Sequence, residues 1–375
     1  MVKIFTIVGT RPEIIRLSRI INILDKYCEH KLIHTGQNFD FELSQIFFSQ
    51  LKIRKPDFFL EAAGKSSSQT IGQVISKVDN VLATEQPQAI LILGDTDSCL
   101  AAISAKRRKI PIFHIEAGNR CFDQRVPEEI NRKIADHISD MNLVYSNIAR
   151  ENLLREGLPP DKIIKIGSPM FEVLNHYLPD INASNILKEL KLSAEQYFLV
   201  SLHRDENVEN EKLFRKLENT LNVIAEKYCL PIIVSTHPRT QKKINDIGVK
   251  FHPLIRLIKP FGFFDYVHLQ INAKTVLSDS GSITEESSIL NFPALNLRET
   301  HERLEGMEEA AVMMVGLDAL RVCEGLDILK NQSKGKKRLL KIVEDYNVSN
   351  VSEKVLRIIH SYMDYVNRSV WKKYN

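Results

Sequence analysis

Polar and charged residues gather where short apolar runs end, and their types suit phosphate binding and proton transfer. The run Lys3–Val8 ends in Gly9-Thr10-Arg11-Pro12-Glu13. A glycine turn into a helix start leaves N–H groups unpaired and so makes an anion site. Arg11 and Arg16 add cationic donors suited to phosphate oxygens. The run ending at Leu93 is followed by Gly94-Asp95-Thr96-Asp97. After Pro111–Ile115 comes Glu116-Ala117-Gly118-Asn119-Arg120, then Pro127-Glu128-Glu129-Ile130-Asn131-Arg132. Asp95, Glu116 and Glu128 thus stand on neighbouring strand ends and loops, from which they can converge on one site. Carboxylates grouped in this way shift one another's proton affinity, which is how such a group becomes an acid or base near neutral pH.

The second half repeats the pattern with different chemistry. His203 follows a strongly apolar run and is a candidate proton shuttle or phosphate donor. His237 ends the next run, in Ser235-Thr236-His237-Pro238. Ser278-Asp279-Ser280-Gly281-Ser282 opens a helix holding Glu285 and Glu286. Small hydroxyl residues and glycine at a helix start form a diphosphate cradle, and a glutamate farther in can accept from ribose hydroxyls. Arg303 lies in the polar loop that follows. Each residue also has a plainer reading: Asp95 as a helix cap, Glu128 with Arg132 as an ordinary i,i+4 pair, His203 as a loop histidine.

The elements that must position these residues follow from the pattern. Strands are expected at Lys3–Val8, Lys31–Thr35, Ala89–Leu93, Pro111–Ile115, Leu143–Tyr145 and Ile163–Ile166, with helices between them. Pro12–Tyr27 carries Ile14, Leu17, Ile21 and Leu24 on one face. The rhythm restarts after a loop region near 167–184, with strands at Tyr197–Leu202, Pro231–Ser235, Leu254–Ile258, Thr275–Ser278, Ala294–Asn296 and Val312–Val315. A last helix spans about 351–368, with Asn350 as N-cap and Glu353 three residues on. Alternating β and α elements predict an α/β fold with parallel sheets covered on both faces. The length of 375 residues favours two domains: 1–170, with the helix 351–375 packing back on it, and 171–350. Ligands of open α/β sheets bind beyond the carboxyl ends of the strands. Two Rossmann-like domains facing a central cleft would therefore hold a nucleotide-linked sugar between them, nucleotide on the second and sugar toward the first.

Composition excludes several classes. A net charge of +4 is too small to imply nucleic acid. Five scattered cysteines without a C-x-x-C pair predict reduced thiols in the cytoplasm and no zinc site. No window reaches the roughly 18 apolar residues needed to span a bilayer, and MVKIFTIVGTRPE reads as a buried strand, not a signal peptide. Neither G-x-G-x-x-G nor a P-loop occurs.

The ordered set GTRPE at 9–13, GDT at 94–96, EAG at 116–118, PEE-x-NR at 127–132, HR-x-EN at 203–207, DSG-x-x-x-EE at 279–286 and ER at 302–303 resembles the non-hydrolysing UDP-N-acetylglucosamine 2-epimerases over nearly the whole chain. The resemblance implies the two-domain GT-B-type architecture of many glycosyltransferases. It also implies inversion at C-2 of a UDP-2-acetamido sugar without NAD, metal or other cofactor, through loss of UDP, a glycal intermediate and re-addition. On that resemblance Asp95, Glu116, Glu128 and His203 are the catalytic candidates. Arg11, Arg16, His237, Ser280, Gly281, Ser282, Glu286 and Arg303 match positions that bind the UDP-sugar. A homodimer is implied as well, with no nucleic-acid or membrane partner. Arg16 replaces the family's usual lysine, Ser282 replaces the second glycine of its DSGG turn, and the stretch 119–125 is short. With His34-Thr35-Gly36-Gln37-Asn38, these variants resemble the branch that forms UDP-N-acetyl-L-fucosamine. The alternatives are UDP-N-acetylglucosamine as substrate, a glycosyltransferase of the same fold, and a sensor. A glycosyltransferase needs an acceptor pocket, which the dense carboxylate set does not require, and a sensor has no need of that set.

Overall fold

The apolar runs of the first half lie side by side as one parallel sheet. This computed structural model describes residues 1–37, 41–202, 211–236, 244, 247–300 and 302–373. The strands are β1 (Lys3–Val8), β2 (Glu29–His34), β3 (Phe58–Phe59), β4 (Ala89–Leu93), β5 (Ile112–Ala117), β6 (Met141–Val144) and β7 (Ile163–Lys165). Their order is β3-β2-β1-β4-β5-β6-β7, with β1 paired to β2 from Lys3↔Glu29 to Val8↔His34. The two-residue β3 has too little apolar sequence to be read in advance. Helices Arg11–Tyr27, Ser67–Glu85, Pro127–Ile138 and Asn147–Arg155 lie between the strands in sequence. On the first of these, Ile14, Leu17, Ile21 and Leu24 are all buried, as their spacing predicts. Each such side chain contributes roughly 1.5–3 kcal/mol by leaving water.

The second half forms its own parallel sheet from β8 (Phe198–Ser201), β9 (Ile232–Ser235), β10 (Ile255–Ile258), β11 (Thr275–Ser278), β12 (Ala294–Asn296) and β13 (Met313–Met314), in the order β10-β9-β8-β11-β12-β13. The chain divides into two compact units, Met1–His176 with Glu344–Asn375, and Tyr177–Val343.

Strand order reverses between β1 and β4 in the first sheet and between β8 and β11 in the second. In open parallel sheets a crevice forms at such a switch point. The loops that begin at Gly9, Gly94 and Asp279 leave the strands that flank these two points.

Three expectations need correction. The region 167–184, expected as loop, holds the helix Met170–Asn182. Its Val173, Leu174, Tyr177 and Ile181 are buried at helical spacing, but Pro169 and the interior Pro179 disguise it. The helix Ala319–Leu329 was not expected either, and it is capped by Asp318, whose side chain accepts the amide of Arg321. Asn350 precedes the last helix, Val351–Ser369, but its side chain makes no capping bond. The carboxylate of Glu172 takes over that role, accepting the Ser352 amide at 2.9 Å and the Ser352 hydroxyl.

Candidate active site

Glu13 organises the turn after β1, and it does so at the expense of the expected anion site. Its Oε2 accepts the amides of Gly9 and Thr10, each at 2.6 Å, and the Thr10 hydroxyl at 3.0 Å. Its Oε1 accepts the Thr96 hydroxyl at 3.0 Å and the Ser98 hydroxyl from the turn after β4. The N–H groups of Gly9 and Thr10 are therefore already occupied, and the anion reading of this turn narrows to its side chains. Arg11 lies over the Phe47 ring, 5.7 Å from its centroid. Burial pushes the Glu13 carboxyl above the usual carboxylate range, although hydrogen bonds from the Ser98 hydroxyl, the Gly9 amide and the Thr10 amide and hydroxyl pull the other way. Glu13→Ala should destabilise the first unit by about 2 kcal/mol, because one buried and one partly buried amide lose their acceptor. An unchanged urea midpoint would contradict that. Thr10 three residues before Glu13 is the capping-box spacing, so the sequence did carry this signal.

β4 delivers Asp95 through Gly94, whose φ of +71° only glycine adopts readily. Thr96, not Asp95, is the N-cap of the short 3-10 helix Asp97–Ala101. The Asp95 carboxylate instead receives Arg132, with Nε at 3.1 Å and Nη2 on the same oxygen. Asn131 donates to the Asp95 carbonyl at 3.0 Å. The Arg132 Nη1 reaches Glu129 at 2.8 Å. Arg132 thus serves Asp95 and Glu129, beyond the plain i,i+4 pairing with Glu128. Arg132 and Glu129 are both buried and meet on the inner face of the helix, whereas Glu128 sits half-buried in its first turn.

Glu116 is expected just past its strand, but β5 continues through it to Ala117. The β5–β6 register shifts between Ile115 and Ala117, and Glu116 takes φ +68°. This is a bulge, a device that re-aims one side chain out of the ladder. The redirected carboxylate lies 3.7 Å from the Arg16 Nε and accepts the Tyr145 hydroxyl at 3.3 Å and the Asn119 amide at 3.4 Å. Arg16 is buried on the helix after β1. Gly118 follows at φ +82°, where a Cβ would collide with the Ala149 carbonyl. Gln37 donates to the Thr96 hydroxyl at 3.2 Å.

Below these turns lies a buried charged network that sequence reasoning missed. Asp136 accepts Arg120 Nη1 at 2.7 Å and the Gly118 amide at 3.2 Å. Arg120 also makes a two-point contact with Glu156, at 2.8 and 2.6 Å. Arg120 therefore anchors the short 119–125 stretch from inside.

In the second unit, Ser280, Gly281 and Ser282 form the entry to the helix Ser282–Leu290. The Ser280 amide donates to the Ser278 hydroxyl at 3.1 Å, and the hydroxyls of Ser280 and Ser282 lie 3.0 Å apart. A side chain on Gly281 would strike the carboxylate of Glu302, which Arg298 holds at 2.9 Å. Glu286 accepts the Gln270 amide at 2.6 Å, and the buried Arg303 lies 3.5 Å from Glu285. The expected ribose acceptor Glu286 is thus hydrogen-bonded within its own unit, and Arg303, expected to bind the UDP-sugar, is ion-paired there. His203 and His237 lie outside the described residues. No group of three potential metal ligands occurs among the described residues.

The family model described as UDP-N-acetylglucosamine 2-epimerase matches residues 23–360. The chain belongs to that family. A solved structure of UDP-N-acetylglucosamine 2-epimerase from Rickettsia bellii is 51% identical, covers 100% of both chains and superposes with a TM-score of 0.91. The Methanocaldococcus jannaschii UDP-GlcNAc 2-epimerase, solved in complex with UDP-GlcNAc and UDP, is 34% identical over 96% of this chain and 99% of its own, with a TM-score of 0.89. The UDP-2,3-diacetamido-2,3-dideoxy-D-glucuronate 2-epimerase of Pseudomonas aeruginosa is 33% identical over 84% of this chain and 88% of its own length. Relatives of similar identity are thus named for different sugars. No helix among the described residues is long and apolar enough to cross a membrane.

Proposed function

We propose that the protein inverts C-2 of a UDP-2-acetamido sugar, and that its physiological substrate is UDP-2-acetamido-2,6-dideoxy-L-talose, giving UDP-N-acetyl-L-fucosamine for surface polysaccharide synthesis. The C-2 proton passes to a base as the C-1–oxygen bond breaks, its electron pair leaving on UDP. A 2-acetamidoglycal and UDP remain bound. A proton returns to the opposite face of C-2 and UDP adds back to C-1. This reaction needs two proton-transfer groups and strong stabilisation of the leaving diphosphate.

The observation that carries the reading is the pair Asp95 and Glu116, at the ends of adjacent strands, each beside a buried guanidinium, Arg132 and Arg16. Glu128 and His203 complete the proton-transfer set. Arg11, Arg16, His237, Ser280, Gly281, Ser282, Glu286 and Arg303 serve the UDP-sugar. Family membership supports the reaction class. The L-fucosamine product rests on Arg16, Ser282 and the short 119–125 stretch. Ser282 adds a hydroxyl beside that of Ser280 in the cradle, and Arg120 fixes the stretch next to Glu116. The second reading is UDP-N-acetylglucosamine, favoured by the names of the relatives. The family resemblance supports a homodimer, and five free thiols suit the cytoplasm.

Each UDP-sugar is incubated with the protein in deuterated water and C-2 is followed by NMR. The 6-deoxy-L-talose substrate should invert with deuterium entering C-2, at a higher kcat/KM than UDP-N-acetylglucosamine. A preference for UDP-N-acetylglucosamine would select the second reading. Retained configuration and no exchange on every UDP-acetamido sugar would sink the epimerase.

A further inference from the structure

β5 carries a fully buried histidine to which the reaction above gives no part. The Nδ1 of His114 lies 3.0 Å from Asp136 Oδ1, and its Nε2 lies 2.8 Å from the carbonyl oxygen of Gly94. A backbone carbonyl only accepts. Asp136 takes hydrogen bonds from Arg120 and from the Gly118 amide, so it too faces His114 as an acceptor. Neutral imidazole has one N–H, which the Gly94 carbonyl takes, and it would leave Nδ1 uncharged beside the buried carboxylate. The imidazolium donates to Gly94 and, with Nδ1 3.0 Å from the carboxylate though not aligned for a hydrogen bond, forms an ion pair with Asp136.

The two acceptors are well placed. Gly94 immediately precedes Asp95. Asp136 also holds the amide of Gly118, two residues beyond Glu116, while His114 itself stands two residues before Glu116 on the same strand. We propose that His114 is a positioning residue which, as an imidazolium hydrogen-bonded to Gly94 and ion-paired with Asp136, ties the turn bearing Asp95 to the strand end bearing Glu116 and keeps the two carboxylates at their working spacing. The proposal rests on the assignment of Asp95 and Glu116 to proton transfer.

The charged groups around the ring are Asp136 from the helix Pro127–Ile138, Asp95 from the turn after β4, and Arg120 from the turn after β5. Burial by itself lowers the proton affinity of His114. The Asp136 carboxylate, the Gly94 carbonyl and Asp95 outweigh it, so the group titrates above the ordinary histidine range. A raised folded-state value means that the tie is intact at and below neutral pH and is lost as pH rises through that value. Turnover should then fall on the alkaline side, with KM little changed, because neither ring nitrogen is directed at a residue assigned to the nucleotide.

Two measurements test this. Nitrogen-15 spectra of histidine-labelled full-length protein at about pH 8, above the ordinary histidine value, should show one imidazolium that is missing from His114→Gln. His114→Gln should lower kcat by about tenfold to hundredfold, the cost of a small misplacement of reacting groups, with KM within about twofold. It should also lose the alkaline limb that His114 imposes on the wild-type pH profile. Asp136→Asn keeps the shape of the site and should move that limb to lower pH, which decides the matter if His114→Gln does not fold. A neutral His114 in the wild type at that pH, a wild-type kcat in His114→Gln, or a limb unmoved in Asp136→Asn overturns the proposal. If the wild type epimerises no UDP-acetamido sugar, the proposed function fails and the positioning role fails with it, while the spectrum still decides whether His114 is charged.

Discussion

Asp95→Asn, Glu116→Gln and Glu128→Gln should each lower epimerisation by about 10²–10⁴-fold, the usual worth of a positioned acid or base. The amides keep the size of the side chain and remove the proton-transfer group. In Asp95→Asn the buried Arg132 keeps Glu129 as a partner, so the fold should survive and the loss should fall on kcat. The three variants need not fail alike. A variant that cannot remove the C-2 proton should neither exchange deuterium nor release UDP. A variant that removes the proton but cannot return one to the other face should exchange C-2 without inversion or accumulate glycal and UDP. Exchange, inversion and UDP release measured on the same samples therefore assign the two faces. Near-normal rates in all three variants would move the chemistry elsewhere.

Asp136→Ala should cost about 3–5 kcal/mol, as expected when one partner of a buried ion network is removed. The loss takes a buried partner from three groups: the Arg120 guanidinium, the His114 ring and the Gly118 amide. All three belong to one unit of about 200 residues, for which each kcal/mol shifts Tm by roughly 2–4 °C, so Tm should fall by roughly 6–20 °C. Glu156→Ala removes the other partner of Arg120, but Glu156 reaches solvent, and water can take its place. Its effect should be the smaller of the two. Thermal unfolding of both variants checks the order. Equal losses would mean that the network is not the buried anchor described here.

Much of the fold was legible because it depends on local pattern. Apolar runs of strand length alternating with amphipathic helices admit little but parallel sheets, and every strand read from the sequence lies within two residues of its place. The position of the candidate residues that follow strand ends was legible for the same reason, since chain direction alone puts them on one edge of each sheet. Thr10 and Glu13 were legible too, through their spacing, although the role of Glu13 as an acceptor for two separate turns was not.

What the sequence by itself determined is therefore the parallel α/β architecture and the edge on which Asp95, Glu116 and the 279–286 turn must lie. Only the tertiary structure decided where the carboxylates point and what holds them. The bulge at Glu116 depends on how β5 pairs with β6, a partner some 25 residues away. Arg132 serves Asp95 and Glu129 because burial, not sequence spacing alone, fixes which carboxylates it meets. His114 looks like one more residue of an apolar strand. It becomes a charged tie only when Gly94 and Asp136, brought in by separate elements, both turn an oxygen toward it, and no periodicity in one strand can report that.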